Sequence, residues 1–598
     1  LTQDGITFRD LNKNGQLDPY EDPRRPVEER VEDLLGQMTL EEKTGLMFQT
    51  MIGMNKDGTI LEKTGLWPMP QSSDVLARRL MNHFNLLFGS DPRHMAEWHN
   101  TIQKMAERTR LGIPVTLSTD PRHSFSQNPL ASLGGGSFSQ FPEPTGLAAT
   151  RDADLIQEFG DIARQEYLAV GIRLALHPMA DLATEPRWAR VNGTFGEDAD
   201  LAAKMTAAYI RGFQGETLGK ESVACMTKHF PGGGPQMDGE DAHFHYGREQ
   251  VYPRNNFDYH LKPFEAAFQA GTAQIMPYYG MPVGTPLEEV GFGFNKDVIT
   301  GLLRGKYGFD GVVCTDWGLL TSLWILGREV FPARAWGVEH LSRLERAQKA
   351  LDAGVDQFGG EDCPEVIVQL VREGKVSEER IDQSVRRLLR DKFRLGLFDN
   401  PYVDVEAAEK IVGKPAFRRA GELAQRKSLV LLKNEKQTLP LKNGLKIYVE
   451  NLKPERVRQF GQVVEDVAQA DIAILRLNAP YEKRKGLAEG WFHAGELDFK
   501  EPEKGRILNI LKRVPSIVDI YLERPAVIPE IAEKSAALLA NFGASDEAVL
   551  DVIFGRCEPQ GKLPFELPSS MEAVRGQKED LPHDSENPLF PFGHGLCY

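Results

Sequence analysis

Cysteine is scarce in this sequence, and the few cysteines present form no recognisable pattern. Five of them are spread between Cys225 and Cys597, and no two form a Cys-x-x-Cys pair. The sequence therefore indicates neither a disulfide framework nor a cysteine-ligated zinc site. With 598 residues the chain is too long for one ordinary hydrophobic core, so we expect two domains or more.

Excess positive charge and long apolar segments are also absent. Lysine and arginine total 71 residues against 86 aspartates and glutamates, which leaves a net charge of −15. Such a chain lacks the basic surface that binds nucleic acids and anionic membranes, so no nucleic-acid partner is expected. No apolar run reaches the length of a membrane-spanning helix, so no membrane insertion is expected either. Neutral substrates therefore suit this protein better than phosphorylated ones.

A polar segment near the N-terminus matches the twelve-residue calcium loop of EF-hand proteins. Gly15 occupies the position of the sharp turn in that loop. Carboxylate and carbonyl oxygens are the hard ligands that Ca²⁺ prefers, so we predict a structural calcium loop that pins an N-terminal arm over residues 1–30. The alternative is a metal-free polar turn. The predicted ligands are Asp10, Asn12, Asn14, Asp18 and Glu21 through their side chains and Gln16 through its backbone carbonyl.

Between residues 31 and 400, short apolar segments that end in polar residues alternate with helical patterns. The clearest helical patterns run from Ala153 to Val170 and from Asp198 to Phe213. This alternation over such a length predicts a TIM-like (β/α) barrel, in which chemistry lies at the carboxyl ends of the strands. The predicted strands are residues 112–120, 171–177, 223–230, 273–279, 311–316 and 354–359.

The most informative of these strands ends in an aspartate followed by a tryptophan. An apolar run from Gly311 to Cys314 leads directly into Thr315, Asp316 and Trp317. A buried parallel strand would deliver this carboxylate to the mouth of the barrel, where the aromatic neighbour gives a partly dry pocket. A carboxylate in such a pocket can act as a nucleophile. The alternative role of a strand-end aspartate is a helix N-cap.

Two further segments of the barrel carry candidate functional groups. Lys228 and His229 stand at a strand end before a run of glycines, where they can donate hydrogen bonds to sugar hydroxyls. They do not form a phosphate loop, because the lysine precedes the glycines. His243 and His245, which follow Asp241, match no metalloprotease or zinc-finger spacing, so we interpret their segment as a solvated loop.

A second α/β unit is predicted after a linker at residues 401–427 that includes an amphipathic helix. Its short apolar strands alternate with helices, so we expect an α/β sandwich with a mostly parallel sheet over residues 428–598. Glu482 follows the second of these strands, where open sheets place functional groups. The alternative is an ordinary surface glutamate. The predicted strands are residues 428–434, 471–477, 516–521 and 536–541.

The order of several motifs resembles that of glycoside hydrolase family 3, which contains β-glucosidases and exo-acting glucanases. Residues 181–190 resemble the Arg-Trp-Gly-Arg segment of the family, residues 227–230 resemble its Lys-His segment, and residues 313–317 resemble its nucleophile strand. The resemblance extends over nearly all of the chain after residue 30. It implies an α/β protein with an N-terminal TIM-like barrel and a C-terminal α/β sandwich. Three more segments resemble sequence motifs of the family's second domain: residues 431–434, 561–564 and 591–596.

Carried over residue by residue, the resemblance implies roles for individual side chains. Asp316 would be the nucleophile, and Glu482, which follows Pro480 and Tyr481, would be the acid/base. Trp317 would form an aromatic wall beside the bound sugar. The residues implied to hold the non-reducing sugar are Asp120, Arg190, Lys228, His229 and Tyr279.

The acid/base residue has alternatives. The Lys-His segment continues as Phe-Pro-Gly-Gly-Gly, which is closer to the N-acetylglucosaminidase branch of the family, where a nearby Asp-His pair supplies the acid/base. Asp241 and His243 follow here, at a longer spacing. Glu482 is the first choice because a full second domain is present to supply it, and Glu489 on the same loop is the second.

A β-glucosidase is the function that the resemblance implies. A retaining glycosidase needs two carboxyl groups about 5 Å apart. We expect an exo-acting, retaining β-D-glucosidase that releases glucose from β-glucosides and gluco-oligosaccharides, with a structural Ca²⁺ and no organic cofactor. The alternatives are an N-acetyl-β-glucosaminidase or β-xylosidase of the same family and a catalytically silent sugar-binding protein. The sequence starts at Leu1 rather than at a methionine, as after signal-peptide removal or trimming, and a periplasmic or secreted location is expected.

Overall fold

In the computed structural model of this protein, a short N-terminal arm leads into two α/β domains. The arm ends in the 3₁₀ turn Pro19–Glu21, and the first helix of the barrel domain begins at Val27. The structure describes residues 1–3, 5–63, 69–128, 132–133, 136–486 and 488–598.

The first domain is a barrel of eight parallel strands. Its strands are β1 (Phe48–Ile52), β2 (His83–Leu86), β3 (Thr116–Thr119), β4 (Ile172–Ala175), β5 (Ala224–Phe230), β6 (Gln274–Pro277), β7 (Val312–Val313) and β8 (Phe358–Gly359). They follow one another around the sheet, with β8 paired to β1. A parallel bridge between Cys314 and Gln357 joins β7 to β8, and Thr315 N donates to Gln357 O at 2.9 Å, which closes the ring. The predicted TIM-like barrel is confirmed.

Helices cover the outside of this barrel. Their apolar faces pack on the strands, as in the helix Glu378–Arg394, where Ile381 and Val385 are fully buried. Ser377 caps this helix by accepting a hydrogen bond from Arg380 N at 3.2 Å. The α-helices of the domain are Val27–Gln37, Leu40–Leu46, Pro92–Glu107, Pro144–Ala149, Ala153–Ala169, Ala199–Gln214, Phe257–Gln269, Arg343–Ala353, Glu365–Arg372 and Glu378–Arg394, and Asp74–Arg78 and Asp297–Lys306 are π-helical.

The second domain is built on a six-stranded sheet. Its strands are β9 (Val430–Asn434), β10 (Lys446–Glu450), β11 (Gln462–Val464), β12 (Ile472–Asn478), β13 (Ser516–Tyr521) and β14 (Ala537–Asn541). They lie in the order β9-β14-β13-β12-β10-β11, and every pair is parallel except β9 with β14. This is the mostly parallel sheet that was predicted. Its helices are Pro454–Val457, Glu503–Arg513, Pro529–Lys534, Asp546–Ile553 and Met571–Gly576.

The two domains are in close contact. Residues 401–427, predicted as a linker, contain the helix Val405–Ile411 and all but the last residue of the helix Pro415–Ser428. The two domains also contact each other directly: Glu143 N of the barrel domain donates a hydrogen bond to Phe542 O of the second domain at 2.7 Å. Gly146 fits so closely against Phe542 that a Cβ there would lie 2.8 Å from the Phe542 Cβ. The carboxyl ends of β12 to β14 therefore face the barrel.

None of the helices in the described part of the chain is both long enough and apolar enough to cross a membrane.

Candidate active site

Asp316 lies just beyond the carboxyl end of β7, at the mouth of the barrel. Its Oδ1 accepts a hydrogen bond from Trp317 N at 2.8 Å. Its Oδ2 is buried and has no hydrogen-bond partner among the described residues. His229 Nε2 lies 3.8 Å from that oxygen. Asp316 thus keeps a lone pair that the described protein groups do not use, as a nucleophile requires.

A cavity of about 450 Å³ opens above Asp316. It has space for a monosaccharide and part of a second ring, and it is lined by polar and aromatic side chains. The structure therefore brings together all the barrel residues that the sequence analysis selected for the active site. Those that line the cavity are Asp120, Arg190, Lys228, His229, Tyr279, Asp316 and Trp317.

Five interlocked residues, Asp120, Asp181, Arg190, Lys228 and His229, form what we call the polar floor of this cavity. Lys228 Nζ donates to Asp120 Oδ1 at 3.1 Å. Arg190 Nη1 lies 3.0 Å from His229 Nε2, and His229 Nδ1 lies 2.8 Å from Asp181 Oδ2. All five side chains are almost completely buried. Each polar head is thus fixed by a neighbour, and the floor is rigid before any ligand enters.

The hydrogen bonds of the floor determine the protonation state of His229. Arg190 can only donate, so His229 Nε2 must accept and the ring proton must be on Nδ1. Burial, with the nearby Arg190 cation, lowers the pKa of His229 well below its usual value. Burial raises the pKa of Asp181 to about 6. Because the imidazole of His229 is neutral, it brings no positive charge to Asp316 Oδ2, although its Nε2 lies only 3.8 Å from that oxygen.

Tyr279 forms one wall of the cavity. Its hydroxyl donates to Trp317 O at 2.7 Å, which ties β6 to the segment that follows the nucleophile strand. Burial, followed by the charge of Asp316, raises the pKa of Tyr279 well above its usual value. Tyr279 therefore stays a neutral hydrogen-bond donor at every physiological pH.

The interpretation of the segment around His243 as a solvated loop is wrong for Asp241 and His243. His243 lines the same cavity as Asp316 and is 4% exposed, while Asp241 is 1% exposed. Asp241 Oδ1 lies 2.6 Å from His243 Nδ1, and Asp241 Oδ2 accepts from Trp188 Nε1 at 3.1 Å. The sequence could not show this burial, because the covering residues are distant in the chain. Of the two histidines, only His245 is exposed.

Asp241 and His243 shift each other's pKa, as a hydrogen-bonded acid–base pair does. Burial opposes its charge, but His243 lowers the pKa of Asp241 to about 2. Burial also lowers the pKa of His243 from 6.5, and the charge of Asp241 partly restores it. The ring of His243 packs against Tyr279 and Phe492, at centroid distances of 4.8 and 4.7 Å. The carboxylate thus fixes the orientation of the imidazole as an Asp–His pair requires.

Glu482 and Glu489 are placed differently. Glu482 is exposed, pairs through its backbone with Ala494 (N to O, 3.0 Å), and is not among the described residues that line the cavity of Asp316. Glu489 accepts a hydrogen bond from Tyr246 Oη at 3.1 Å and also lies outside that lining. Arg484 of the same loop forms a double hydrogen bond with Glu240, with both distances 2.6 Å. The loop is thus anchored to the barrel, but neither glutamate is brought to Asp316.

Two segments lie beside the cavity, and we call them the rim. One is the second-domain loop, described at residues 481–486 and 488–496, which lines the cavity with none of its described residues but packs Phe492 against the ring of His243. The other is the hairpin Leu323–Phe331 of the barrel domain, whose Trp324 is 56% exposed and lines the cavity. The hairpin and two buried residues that line the cavity, Asn85 and Arg334, were not predicted from the sequence. Asn85 stands among polar and apolar residues in no recognisable period, so neither residue carried a signal.

A second and larger cavity, of about 800 Å³, lies between the domains. It is lined by Asn478, Tyr521 and Asn541 at the carboxyl ends of the parallel strands, and it shares Arg190 and Lys228 with the first cavity. Asp316 does not line it. The buried carboxylate that lines it, Glu143, accepts hydrogen bonds on both oxygens, from Ser126 N at 2.7 Å and from Ser126 Oγ at 3.1 Å. Because, among the described residues that line the two cavities, only Asp316 keeps a buried and unpartnered carboxylate oxygen, the smaller cavity is the candidate active site.

The predicted calcium loop is compact. Asn14 N and Gly15 N donate to the carboxylate of Asp10 at 3.1 and 3.0 Å, and Asn14 Nδ2 donates to Asp18 Oδ2 at 2.7 Å. Glu21 turns inward and is 5% exposed. These oxygens are the type that Ca²⁺ prefers. Among the described residues, no group of three or more His, Cys, Asp or Glu side chains is arranged to hold a metal ion.

Two family models match the chain. The model described as the N-terminal domain of glycosyl hydrolase family 3 matches residues 79–390. The model of the C-terminal domain of the same family matches residues 454–598. The two matches fall on the barrel and on the second domain.

Individual relatives match over almost the whole chain. Beta-glucosidase C from Emericella nidulans is 53% identical over 98% of this chain and 95% of its own. A periplasmic beta-glucosidase/beta-xylosidase from Dickeya chrysanthemi is 43% identical over 100% and 94%. An exo-1,3/1,4-beta-glucanase from a Pseudoalteromonas species, solved as a Q683A mutant, has the same fold with a TM-score of 0.76 at 23% identity, over 99% of this chain and 97% of that one.

Proposed function

The chain belongs to glycoside hydrolase family 3, and from this premise we propose that it is an exo-acting, retaining β-D-glucosidase in which Asp316 is the nucleophile. It would release glucose from the non-reducing ends of β-glucosides and gluco-oligosaccharides. The observation that carries the proposal is the unpartnered, buried Oδ2 of Asp316 inside a cavity of about 450 Å³ with a rigid polar floor.

Each part of the cavity has a task in this reaction. The floor offers Lys228, Arg190 and Asp120 to the hydroxyls of one terminal sugar, and their fixed geometry orients the anomeric carbon over Asp316. Asp316 Oδ2 forms a bond to that carbon while the bond to the leaving oxygen breaks. Water then attacks the anomeric carbon of the glycosyl-enzyme and gives its proton to the acid/base residue, and Asp316 leaves as a carboxylate.

For the acid/base, we propose His243, supported by Asp241. The acid must protonate the leaving oxygen across the anomeric carbon from the nucleophile, within a separation of about 5 Å. His243 lines the cavity of Asp316, whereas Glu482 does not. Asp241 would hold the imidazole in place and stabilise its protonated form. Glu482 remains the alternative, reached through a movement of the second-domain loop.

The names of the relatives support glucose as the preferred sugar. Beta-glucosidase C of Emericella nidulans shares 53% of its residues with this chain. The Dickeya chrysanthemi relative is named for both β-glucosidase and β-xylosidase activity, which favours β-xyloside hydrolysis as a second candidate activity. Its name also supports the proposal that this protein acts in the periplasm or outside the cell.

We further propose a structural Ca²⁺ in the N-terminal loop. The donors would be Asp10, Asn12, Asn14, Asp18 and Glu21 together with the carbonyl of Gln16, and support comes from the inward-facing Glu21 and the turn at Gly15, which has a φ of +77°. The ion would neutralise the carboxylates that the loop collects and would take no part in catalysis.

A panel of aryl β-glycosides tests the function. The glucoside, the xyloside and the N-acetylglucosaminide should be compared at equal concentration with the wild-type protein. We expect the glucoside to be hydrolysed fastest and the xyloside more slowly. Preferential turnover of the N-acetylglucosaminide would replace the glucosidase assignment, and failure on all three would favour a silent sugar-binding protein.

A further inference from the structure

We propose that Asn85 is a positioning residue that orients the carboxylate of Asp120 toward the hydroxyls of the terminal sugar. The inference rests on the proposed glucosidase function, because it concerns how the same cavity recognises its substrate. It gives a part in recognition to β2, a strand on which the sequence analysis placed no functional residue.

Asn85 is a buried amide in the wall of the active-site cavity. It lies on β2, which is paired with β1 on one side and with β3 on the other, opposite Met51 and Ser118. Its side chain is 1% exposed and lines the cavity that contains Asp316. A buried amide of this kind requires partners for its two N–H groups and its carbonyl oxygen.

Protein groups supply these partners. Asn85 Nδ2 donates to Asp120 Oδ2 at 3.2 Å and faces Met51 Sδ at 3.8 Å. Asn85 Oδ1 accepts from Ser118 Oγ at 3.3 Å. Both N–H groups of the amide thus have an acceptor within the protein, so Asn85 acts on a sugar through Asp120 rather than by donating to it directly.

The orientation of the amide is determined by the groups around it. A carboxylate can only accept hydrogen bonds, so the NH₂ end of Asn85 must face Asp120. At the other end, Gln49 Nε2 donates to Ser118 Oγ at 2.6 Å. That bond occupies a lone pair of the serine, and the hydroxyl proton of Ser118 remains for carbonyl oxygens such as Asn85 Oδ1. The network therefore extends from β1 through β3 and β2 to Asp120.

Asp120 is held by one donor on each of its oxygens. Lys228 Nζ donates to Oδ1 at 3.1 Å, and Asn85 Nδ2 donates to Oδ2. Lys228 alone would leave the carboxylate free to rotate about its Cβ–Cγ bond, whereas a second donor on the other oxygen prevents this rotation. Each oxygen still has an acceptor site for a hydroxyl. Asn85 thus fixes the direction in which Asp120 accepts, and Lys228 supplies the charge.

A double-mutant cycle tests this role. The kcat/KM for an aryl β-glucoside should be measured for Asn85→Ala, Asp120→Ala and the double variant. We expect a loss of about tenfold for Asn85→Ala and of at least about a hundredfold for Asp120→Ala. The double variant should stay within about threefold of Asp120→Ala, because the amide has no effect once its carboxylate is gone.

The matched control is Asn82→Ala. Asn82 is a buried asparagine directly before β2, and it lines neither cavity. Its kcat/KM should stay within about threefold of the wild type. Loss of activity in Asn82→Ala equal to that in Asn85→Ala would show that the effect comes from disturbance of the strand.

Asn85→Asp adds a readout that a purely structural role would not change. The new carboxyl would face Asp120 Oδ2 in place of the NH₂ group. When ionised it repels Asp120, but when protonated it can donate the missing hydrogen bond. The ratio of its kcat/KM to that of the wild type should therefore rise as the pH falls, while the ratio for Asn85→Ala should stay constant.

The possible failures are distinct. Wild-type kcat/KM in Asn85→Ala would overturn the positioning role. Losses that multiply in the double variant, to about a thousandfold, would overturn it as well, because they would mean that Asn85 and Asp120 act independently. If the wild-type protein hydrolyses no β-glucoside, the glucosidase function itself fails, and this inference falls with it.

Discussion

The polar floor and the rim of the cavity differ in almost every physical respect. In the floor, Lys228, His229 and their partners are buried and hydrogen-bonded to one another. In the rim, Trp324 and the loop around Glu482 are largely exposed, and their anchors lie at their bases. The comparison teaches that the barrel end is preorganised by buried hydrogen bonds, whereas the rim consists of insertions that are anchored at their bases and exposed beyond them.

The floor side of this comparison depends most strongly on the nucleophile. Asp316→Asn should lower kcat on every β-glucoside by at least about a thousandfold, because no covalent intermediate can form. Asp362→Asn is the matched control, since Asp362 lines the same cavity but forms a surface ion pair with Arg79 at 2.9 Å. Mass spectrometry after incubation with a 2-fluoro-glucoside should show one added sugar on the wild type and none on Asp316→Asn. An Asp316→Asn variant that still accumulates the adduct would remove Asp316 from the role.

The identity of the acid/base residue determines whether the second-domain loop, which carries Glu482, takes part in the chemistry. His243→Gln should lower kcat on alkyl glucosides about a hundredfold but affect dinitrophenyl glucoside much less, because that leaving group needs no proton. Azide should restore part of the lost rate. Glu482→Gln should stay within about threefold of wild type on both substrates, as expected for an exposed side chain. The reverse pattern would transfer the role to the second-domain loop.

The pH dependence of kcat tests His243 as the acid without a mutation. Burial lowers the pKa of His243 from 6.5, so the imidazolium that must donate the proton is lost as the pH rises through a value below 6.5. The kcat for alkyl glucosides should therefore fall on the alkaline side at a lower pH than an ordinary histidine would give, and this limb should disappear in His243→Gln. A profile that stays flat up to about pH 8 would contradict a histidine acid.

Rigidity of the aromatic wall can be probed through Gly360. A Cβ at Gly360 would lie 2.6 Å from Trp317 Cδ1, so Gly360→Ala should displace the tryptophan next to the nucleophile and lower kcat/KM by roughly tenfold to a hundredfold. Gly374→Ala is the control, because Gly374 has nearly the same φ (+69° against +70°) but no neighbour within 4 Å. Equal activity of the two variants would show that the wall tolerates displacement.

The N-terminal loop should have the smallest effect, because none of its residues lines either cavity. Removal of Ca²⁺ with EDTA should lower the Tm by about 3 °C and leave kcat unchanged after correction for unfolded protein. Asp10→Ala should have the lower Tm with or without EDTA, whereas Asp57→Ala, in another polar turn, should respond like the wild type. An EDTA-insensitive wild type would mean that the loop is a metal-free turn.

Asp120, Lys228 and His229 of the floor were predictable because they end apolar segments, whereas Arg190 was assigned only through the family resemblance. Val223 to Phe230 and Gly311 to Asp316 both lead from β-branched or apolar residues into the polar groups of the site. The first two barrel strands were missed for the opposite reason. Their inward side chains are polar, as in Gln49, whose Nε2 donates to Ser118 Oγ at 2.6 Å inside the barrel. Periodicity of apolar residues cannot reveal a strand whose interior is hydrogen-bonded.

The rim and the buried pair Asp241–His243 were not predictable for a different reason. Their environment is created by residues far away in the chain: Trp188 contacts Asp241, and Phe492 of the second domain covers His243. Strand β11 was missed because it is short and lies at the edge of the sheet, and β10, next to it, was missed because it is partly exposed. Local sequence contains no record of such long-range contacts.

Closure of the barrel joins segments that are far apart in the sequence. Phe48 on β1 pairs with Phe358 on β8, and the bond from Thr315 N to Gln357 O is made beside the nucleophile. A ribosome must therefore deliver more than half of the chain before this ring can form, and contacts of such long sequence separation form late. A chain that ends before Gln357 cannot make this bond, so the segment that carries Asp316 has its partner on this side only once β8 is present.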